Sequence, residues 1–205
     1  MSEYPVHYRV ERPDRFTRLQ LLVRVVAFCA LGALGLSFGT VFLFAYLALP
    51  VYAASRLAAS DPAEYAAHDG PRVVGALRWL AAVCAWAGLI TDHLPARTPD
   101  EIVKLEIESA ANPTASSAMW RILTGLPSAL VLAVLCWIGG LVWLWAALSI
   151  LFAQRVGPGA FHYLVGLQRW SIRLLAYQAS LVDEYPPFSF EDAPPPVLPA
   201  ARVTP

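Results

Sequence analysis

VGALRWLAAVCAWAGLITDHLP (74–95) and VGLQRWSIRLLAYQASLVDEYP (165–186) are two versions of one segment. They align without a gap at an offset of 91 residues, with seven identical positions among 22: Val74/Val165, Gly75/Gly166, Arg78/Arg169, Trp79/Trp170, Ala85/Ala176, Asp92/Asp183 and Pro95/Pro186. Trp86 also meets Tyr177. Trp, Asp and Pro held in one register are more than apolar composition supplies. A repeat of this length reads as one unit made twice, not as a solenoid.

The likeness extends upstream. Residues 4–11 (YPVHYRVE) and 102–108 (IVKLEIE) both alternate apolar and polar side chains, the period of a half-buried strand. At an offset of 97, Val6 meets Val103, Val10 meets Ile107, Glu11 meets Glu108 and Arg24 meets Arg121. A long apolar block follows each strand. Residues 25–55 and 122–154 contain no Asp, Glu, Lys or Arg, and each block is followed by an arginine, Arg56 or Arg155. Runs of more than about 18 apolar residues read as membrane segments. The whole chain agrees: 58% of its 205 residues are hydrophobic, 15% are charged and the mean hydropathy is +0.53, against roughly 25% charged in ordinary soluble domains. No short apolar segment with a small-residue cleavage site marks a signal peptide, so the first block is expected to remain as a span.

Each repeat therefore reads as strand, basic entry, long apolar helix, polar link, second helix and an Asp-x-x-Pro exit. The first repeat is placed at 1–97, with a strand at 4–11 and helices at about 19–55 and 71–92. The second is placed at 98–188, with a strand at 102–109 and helices at about 117–155 and 160–183. The join falls at 96–100, and 189–205 is a proline-rich tail read as disordered or extended. The link is long in the first repeat (57–72) and short in the second (156–160), which accounts for the changed offset.

Two topologies fit. In one, each repeat is a helical hairpin, giving four membrane-embedded helices with both strands on one side. In the other, each apolar block folds back within the membrane, the second helix lies flat at the interface, and every charge sits on one side. A 33-residue helix is about 50 Å long against a hydrocarbon core of about 30 Å, so length favours neither. Neither block has a polar turn at its middle, which favours four helices. Arg9, Arg12, Arg15, Arg18 and Arg24 place the N-terminus in the cytoplasm by the positive-inside rule.

The chemistry-bearing residues are few. Arg78 and Arg169 sit inside apolar helices, where an arginine at mid-membrane costs about 2.5–3.5 kcal/mol. They read as anion or lipid-headgroup contacts, as snorkelling side chains, or as partners of the other repeat. Arg173 joins Arg169, His162 and Ser180 on one stripe of the last helix. Asp92 and Asp183 close their helices against the helix dipole. They read first as turn-shaping carboxylates that accept from backbone N–H groups just beyond them, and second as ion-pair partners of an arginine. Arg78, Arg169, Arg173, Asp92 and Asp183 are therefore the candidate anion, headgroup or inter-repeat contacts. Cys29, Cys84 and Cys136 stand alone and read as small apolar packers. His7, His68, His93 and His162 lack metal-ligand spacing. No nucleophile is placed beside a base, and no phosphate or dinucleotide loop is present. No catalytic, cofactor or metal site is expected. Net charge is zero, which gives no electrostatic case for nucleic acid.

The end of the second block, ALSILFAQRVGPGAFHYLVGLQRW, with RLLAYQASLVDEYPPF after it, resembles the bacterial integral-membrane family called domain of unknown function 4389. Members show an aromatic-rich helix, an arginine–proline–glycine link, an RW pair and a closing D-x-YPPF. Residues 103–188 match this pattern, and 4–95 resemble a degraded first copy that keeps Arg78-Trp79 and Asp92. The resemblance implies a membrane location and no particular activity. The expectation is a duplicated, mostly helical protein of the bacterial cytoplasmic membrane, multi-pass, with a small cytoplasmic β element. Its expected role is that of a non-enzymatic accessory or scaffold subunit of a membrane complex, in contact with membrane lipids. The alternative is a lipid- or small-solute-handling transporter that uses the repeat arginines.

Overall fold

The computed structural model describes residues 4–93, 102–108 and 111–191. The elements are β1 (Val6–Arg9), α1 (Arg18–Ala33), α2 (Phe38–Leu57), α3 (Pro62–Glu64), α4 (Gly70–Ala87), β2 (Lys104–Ile107), α5 (Ala115–Thr124), α6 (Leu126–Ala153) and α7 (Pro158–Gln178); a π-helical turn, Tyr65–Asp69, joins α3 to α4. The expected join at 96–100 and residues 192–205 of the tail lie outside the described residues.

The two apolar blocks fold differently, and glycine decides where. The first breaks at 34–37. Gly35 takes a left-handed φ of 74°, Leu36 N donates to Leu31 O (2.9 Å) and Gly35 N to Gly32 O (3.0 Å), a Schellman ending that closes α1. Ser37 then caps α2 by accepting from Thr40 N at 3.1 Å. The expected single helix at about 19–55 is thus two. In the second block Gly125 stays right-handed. Gly125 N donates to Arg121 O (2.8 Å) and Ala129 N to Gly125 O (3.0 Å), so α5 runs on into α6. Thr114 and Ser117 form a reciprocal capping box at its start.

β1 and β2 pair antiparallel as a two-stranded ribbon, with Val6 opposite Ile107, Tyr8 opposite Leu105 and Arg9 opposite Lys104. Tyr8 therefore faces Leu105, its own counterpart at the offset of 97. Val6, Tyr8, Val103 and Leu105 are buried, while Arg9, Lys104 and Glu106 are exposed, which is the alternation read from the sequence.

The helices are antiparallel neighbours. Tyr46 of α2 donates to Ile122 O of α5 at 2.6 Å, and Ala53 packs near Ala118, so the two long helices run in opposite directions. Tyr163 Oη donates to Leu135 O (2.9 Å) and Tyr177 Oη lies 2.9 Å from Thr124 Oγ1, which makes α6 and α7 a hairpin. Tyr65 Oη donates to Ala179 O (2.6 Å) and Gln168 Nε2 to Ala81 O (2.5 Å), so α4 and α7 are antiparallel as well. Ala81 and Ala85 are fully buried there, small residues four apart that let backbones approach.

Two helices among the described residues are long and apolar enough to cross a membrane: α2 (20 residues, mean hydropathy 1.6) and α6 (28 residues, 2.2). Only 17% of the most apolar window of each is buried, so neither is the core helix of a soluble domain. Four such helices were expected. α4 and α7 do not reach that standard. The reason is that α7 is the core of this molecule: Gln168, Arg173 and Gln178 are all buried within it. These three side chains interrupt the hydropathy although they are buried.

The beginning of the tail is packed. Phe190 stacks edge-on against Tyr163 at 5.3 Å, and Phe188 against Trp170 at 5.2 Å. Gly166 makes room, since a Cβ there would lie 2.5 Å from Phe190 Cβ. Gly166→Ala is expected to push 189–191 off α7, at a cost of about 1–3 kcal/mol. Limited proteolysis would show a new early cleavage after Phe188, and unchanged cleavage would contradict this packing.

Candidate functional site

Two buried arginines at the feet of the long helices each clasp the exit of a return helix. Arg24, with no exposed surface, donates from Nη2 to Thr91 O (2.6 Å) and to Asp92 Oδ1 (3.2 Å). Its guanidinium lies 5.2 Å from the centre of the Trp86 ring. Arg121, 5% exposed, donates to Val182 O, to Tyr177 O (2.9 Å) and to Asp183 Oδ1 (2.5 Å), and sits 4.6 Å over the Tyr177 ring. Arg24 and Arg121 correspond at the offset of 97, and Trp86 and Tyr177, Thr91 and Val182, and Asp92 and Asp183 correspond at 91, while the Arg121 bond to Tyr177 O belongs to the second clasp. Burial draws the Arg24 pKa down and Asp92 opposes the drop.

The return helices end alike. Leu89 (φ 60°) and Ser180 (φ 56°) are both left-handed. Ile90 N donates to Ala85 O, and Leu181 N to Ala176 O. Non-glycine residues pay about 1–2 kcal/mol for that backbone, and the clasp holds each turn closed immediately after it. The second oxygen of each carboxylate reaches the N-terminal approach to its own long helix. Asp92 Oδ2 accepts from Thr17 N (3.0 Å) and Oγ1 (2.9 Å), and Asp183 Oδ2 accepts from Asn112 N (3.0 Å). The N–H groups that Asp92 and Asp183 accept are therefore remote in sequence, not those just beyond them. Arg24 and Arg121 stood in the sequence as the basic residue before each block. Their shared offset was visible, but their partners lie 68 and 62 residues away.

Arg78 and Arg169 hold the ribbon, each reaching the strand of the opposite half. Arg78 Nη2 donates to Leu105 O (3.1 Å), and Arg169 Nε donates to Tyr8 O (3.1 Å). Both arginines lie near the middle of their helices, so the ribbon crosses the waist of the bundle. Arg169 Nη1 also donates to Phe190 O. Arg173, 1% exposed, donates to Glu191 O (3.0 Å) and lies 5.4 Å over the Tyr4 ring. Asp92 and Asp183 thus lie in clasps at opposite ends, Arg78 and Arg169 mount the ribbon at the waist, and Arg173 holds the start of the tail.

A further polar cluster has no counterpart in the second half. Asp69, buried at the end of the π-helical turn, accepts from Tyr52 Oη (2.9 Å) and Arg56 Nε (2.8 Å), with Arg72 at 3.7 Å. Chiefly the hydrogen bond from Arg56 holds its pKa below the usual carboxylate value. Among the described residues no group of three His, Cys, Asp or Glu could hold a metal ion.

An apolar pocket of about 400 Å³ lies between the long helices, floored by α4 and α7. Three pairs of counterparts line it: Phe42 and Gly139, Leu80 and Ser171, Cys84 and Leu175. The pocket therefore straddles the relation between the two halves. Phe28 and Phe38, on either side of the α1–α2 break, lie 5.4 Å apart at its rim. Ser171 Oγ is spent on Leu167 O at 2.9 Å. Burial pushes the Cys84 thiol up to about 12, which leaves it a neutral apolar lining.

Asp92→Ala is expected to cost about 3 kcal/mol, because it strands a buried arginine. Asp183→Ala should cost less, since its side chain is 52% exposed against 14% for Asp92. Thermal unfolding of both variants in mild detergent checks the order, and a reversed order would contradict the clasp geometry.

No curated protein and no solved structure matches the chain. Residues 115–189 match the family model described as Domain of unknown function (DUF4389). That stretch holds α5, α6, α7 and the Arg121–Asp183 pair, and it ends at the first residue of the tail, Ser189. The likeness to domain of unknown function 4389 read from the sequence is thus matched over residues 115–189.

Proposed function

We propose that this chain is a non-enzymatic accessory or scaffold protein of the bacterial cytoplasmic membrane, made of two tandem copies of one unit, that lies along one face of the bilayer. One observation carries the orientation: a charged ribbon crosses the waist of the bundle. The two exits are clasped at opposite ends, because α4 and α7 are antiparallel. The chain leaves Asp92 at one end, passes through β2 at the waist and reaches Asn112 at the other. If the helices stood upright in the bilayer, exposed Arg9, Lys104, Glu106 and the open ribbon edges would sit at mid-depth. Such charges cost several kcal/mol there, and an open sheet edge has no place in hydrocarbon.

The apolar surface supports the same orientation. From Met119 to Phe152 the exposed side chains of α5 and α6 follow one stripe, including Trp120, Leu130, Trp137, Leu141, Trp145 and Phe152. That stripe is about 50 Å long, against a core of about 30 Å. Standing upright it would overrun the core by about 20 Å, so its ends would lie in the headgroup layers or the helix would tilt strongly. Trp137, 85% exposed, would then face the bilayer centre, whereas tryptophan favours the interface. Lying flat, the three tryptophans of the stripe, Trp120, Trp137 and Trp145, share one depth.

The ribbon then faces water, with Arg9, Lys104 and Glu106 displayed to a partner, and the arginines near the N-terminus favour the cytoplasmic side. The bonding of Arg78 and Arg169 to strand carbonyls supports a structural role for them, which removes the main support for the transporter alternative. The hydropathy of α2 and α6 favours the competing multi-pass arrangement, and labelling separates the two. In a background of Cys29→Ser, Cys84→Ala and Cys136→Ser, the single variants Asp14→Cys, Ser116→Cys and Lys104→Cys report the two ends and the waist. With an impermeant maleimide on sealed inverted vesicles, all three are expected to react. Reaction of only one end, with Lys104→Cys shielded, would overturn the flat reading in favour of four crossings.

The scaffold reading makes its own demand. Wild-type protein purified from its native membrane is expected to bring a stoichiometric protein partner, and Lys104→Glu with Glu106→Lys should lose it while remaining folded. Isolation of wild type alone would count against it.

A further inference from the structure

We infer that the pocket between the long helices holds one acyl chain of a bilayer lipid. The inference rests on the flat orientation proposed above and deepens it. The walls come from the two long helices, through Phe42 of α2 and Gly140 and Trp143 of α6, while α4 and α7 form the floor. No strand residue lines it, so the pocket and the ribbon lie on opposite sides of the α4–α7 layer. Whatever faces the long helices therefore faces the mouth.

The mouth is continuous with the lipid-facing stripe. Cys136 and Gly140 are exposed and line the pocket, and their neighbours Trp137 and Leu141 are exposed on the stripe itself. Phe38 and Val41, about 40% exposed, complete the rim on the other long helix. A chain entering from the bilayer passes from one apolar surface to another without meeting a polar group.

The lining selects hydrocarbon over water. Its polar side chains are Ser171, whose hydroxyl is already bonded to Leu167 O, and Gln168, whose Nε2 is bonded to Ala81 O and whose buried Oε1 is left as one open acceptor. A buried water needs two to four polar partners, and one open acceptor among apolar walls falls short of that. A volume of about 400 Å³ falls within the range of small-molecule sites, roughly 300–1,000 Å³.

Glycine and the helix break create the space. Gly139 and Gly140 stand where the first half has Phe42 and Leu43, and a Cβ on Gly140 would meet nothing within 4 Å. The break at Gly35 separates Phe28 from Phe38, whereas the second long helix continues through the corresponding place. One half supplies the gap in the wall and the other the missing side chains.

The test uses the full-length protein in nanodiscs of phosphatidylcholine that contain a small fraction of phosphatidylcholine with a mid-chain diazirine. After photolysis, cross-links are mapped by mass spectrometry. Labelling is expected at Cys136, Leu167 and Phe42, saturable and at least tenfold reduced in Gly140→Phe, while labelling at Trp137 and Leu141 persists. Ser171→Leu, which narrows the floor instead of the wall, should act in the same direction if Gly140→Phe fails to fold. Pocket labels unchanged in both variants, or labels confined to the stripe in wild type, would overturn the acyl-chain site and leave the flat orientation standing. Absence of stripe labelling would instead defeat the orientation on which the site rests.

Discussion

A buried arginine held by a carboxylate at the exit of a return helix is the contact on which the architecture turns. Arg24 and Arg121 each gather two backbone carbonyls or a carbonyl and an aromatic face, and each is neutralised by an aspartate whose other oxygen reaches back to the approach of the long helix. One group thus ties the start of a long helix, the end of its return helix and a left-handed turn. A guanidinium suits the task because its donors fan out in a rigid plane and its face stacks on a ring. Burying such a charge is costly unless it is paired, and the aspartate supplies that pair in each clasp.

The ribbon mount obeys the same chemistry across the halves. Arg78 and Arg169 use their donors on strand carbonyls of the opposite half, and Tyr8 stands opposite Leu105. Two strands alone are marginal in water. Here they are secured from below by two cations and by buried Val6, Tyr8, Val103 and Leu105. The result is a layered body: charged ribbon, polar-threaded helices α4 and α7, then two long helices whose outer face is apolar from end to end. Layering of this kind gives the protein a charged side and an apolar side.

The two halves are alike in their clasps and unlike in their walls. The first half adds a long link that folds as a π-helical turn and buries Asp69 among Tyr52, Arg56 and Arg72. It also breaks its long helix at Gly35. The second half keeps a straight long helix but gives up side chains at Gly139 and Gly140. The pocket arises where these two departures meet.

Much of this was legible in the chain. Offsets of 91 and 97 related the arginines, aspartates, tryptophans and strands, period-two alternation picked out the buried and exposed faces of the ribbon, and the uncharged blocks marked the apolar helices. Asp92 and Asp183 were singled out because a carboxylate at a helix C-terminus needs a reason. What the sequence could not carry was pairing at a distance. Nothing local assigns Asp92 to Arg24 or Arg78 to Leu105 O, because these meet only after the chain has reversed direction. The expectation of four membrane helices failed at α4 and α7: Gln168, Arg173 and Gln178 lower the hydropathy of α7, and they are buried in the protein's own core. The sequence by itself determined the apolar blocks and the alternating strands, because those depend on neighbours a few residues apart. Only the tertiary structure decided which arginine meets which acceptor, where the ribbon lies along the helices and that a pocket opens between the halves, because each of those depends on how antiparallel helices are brought together.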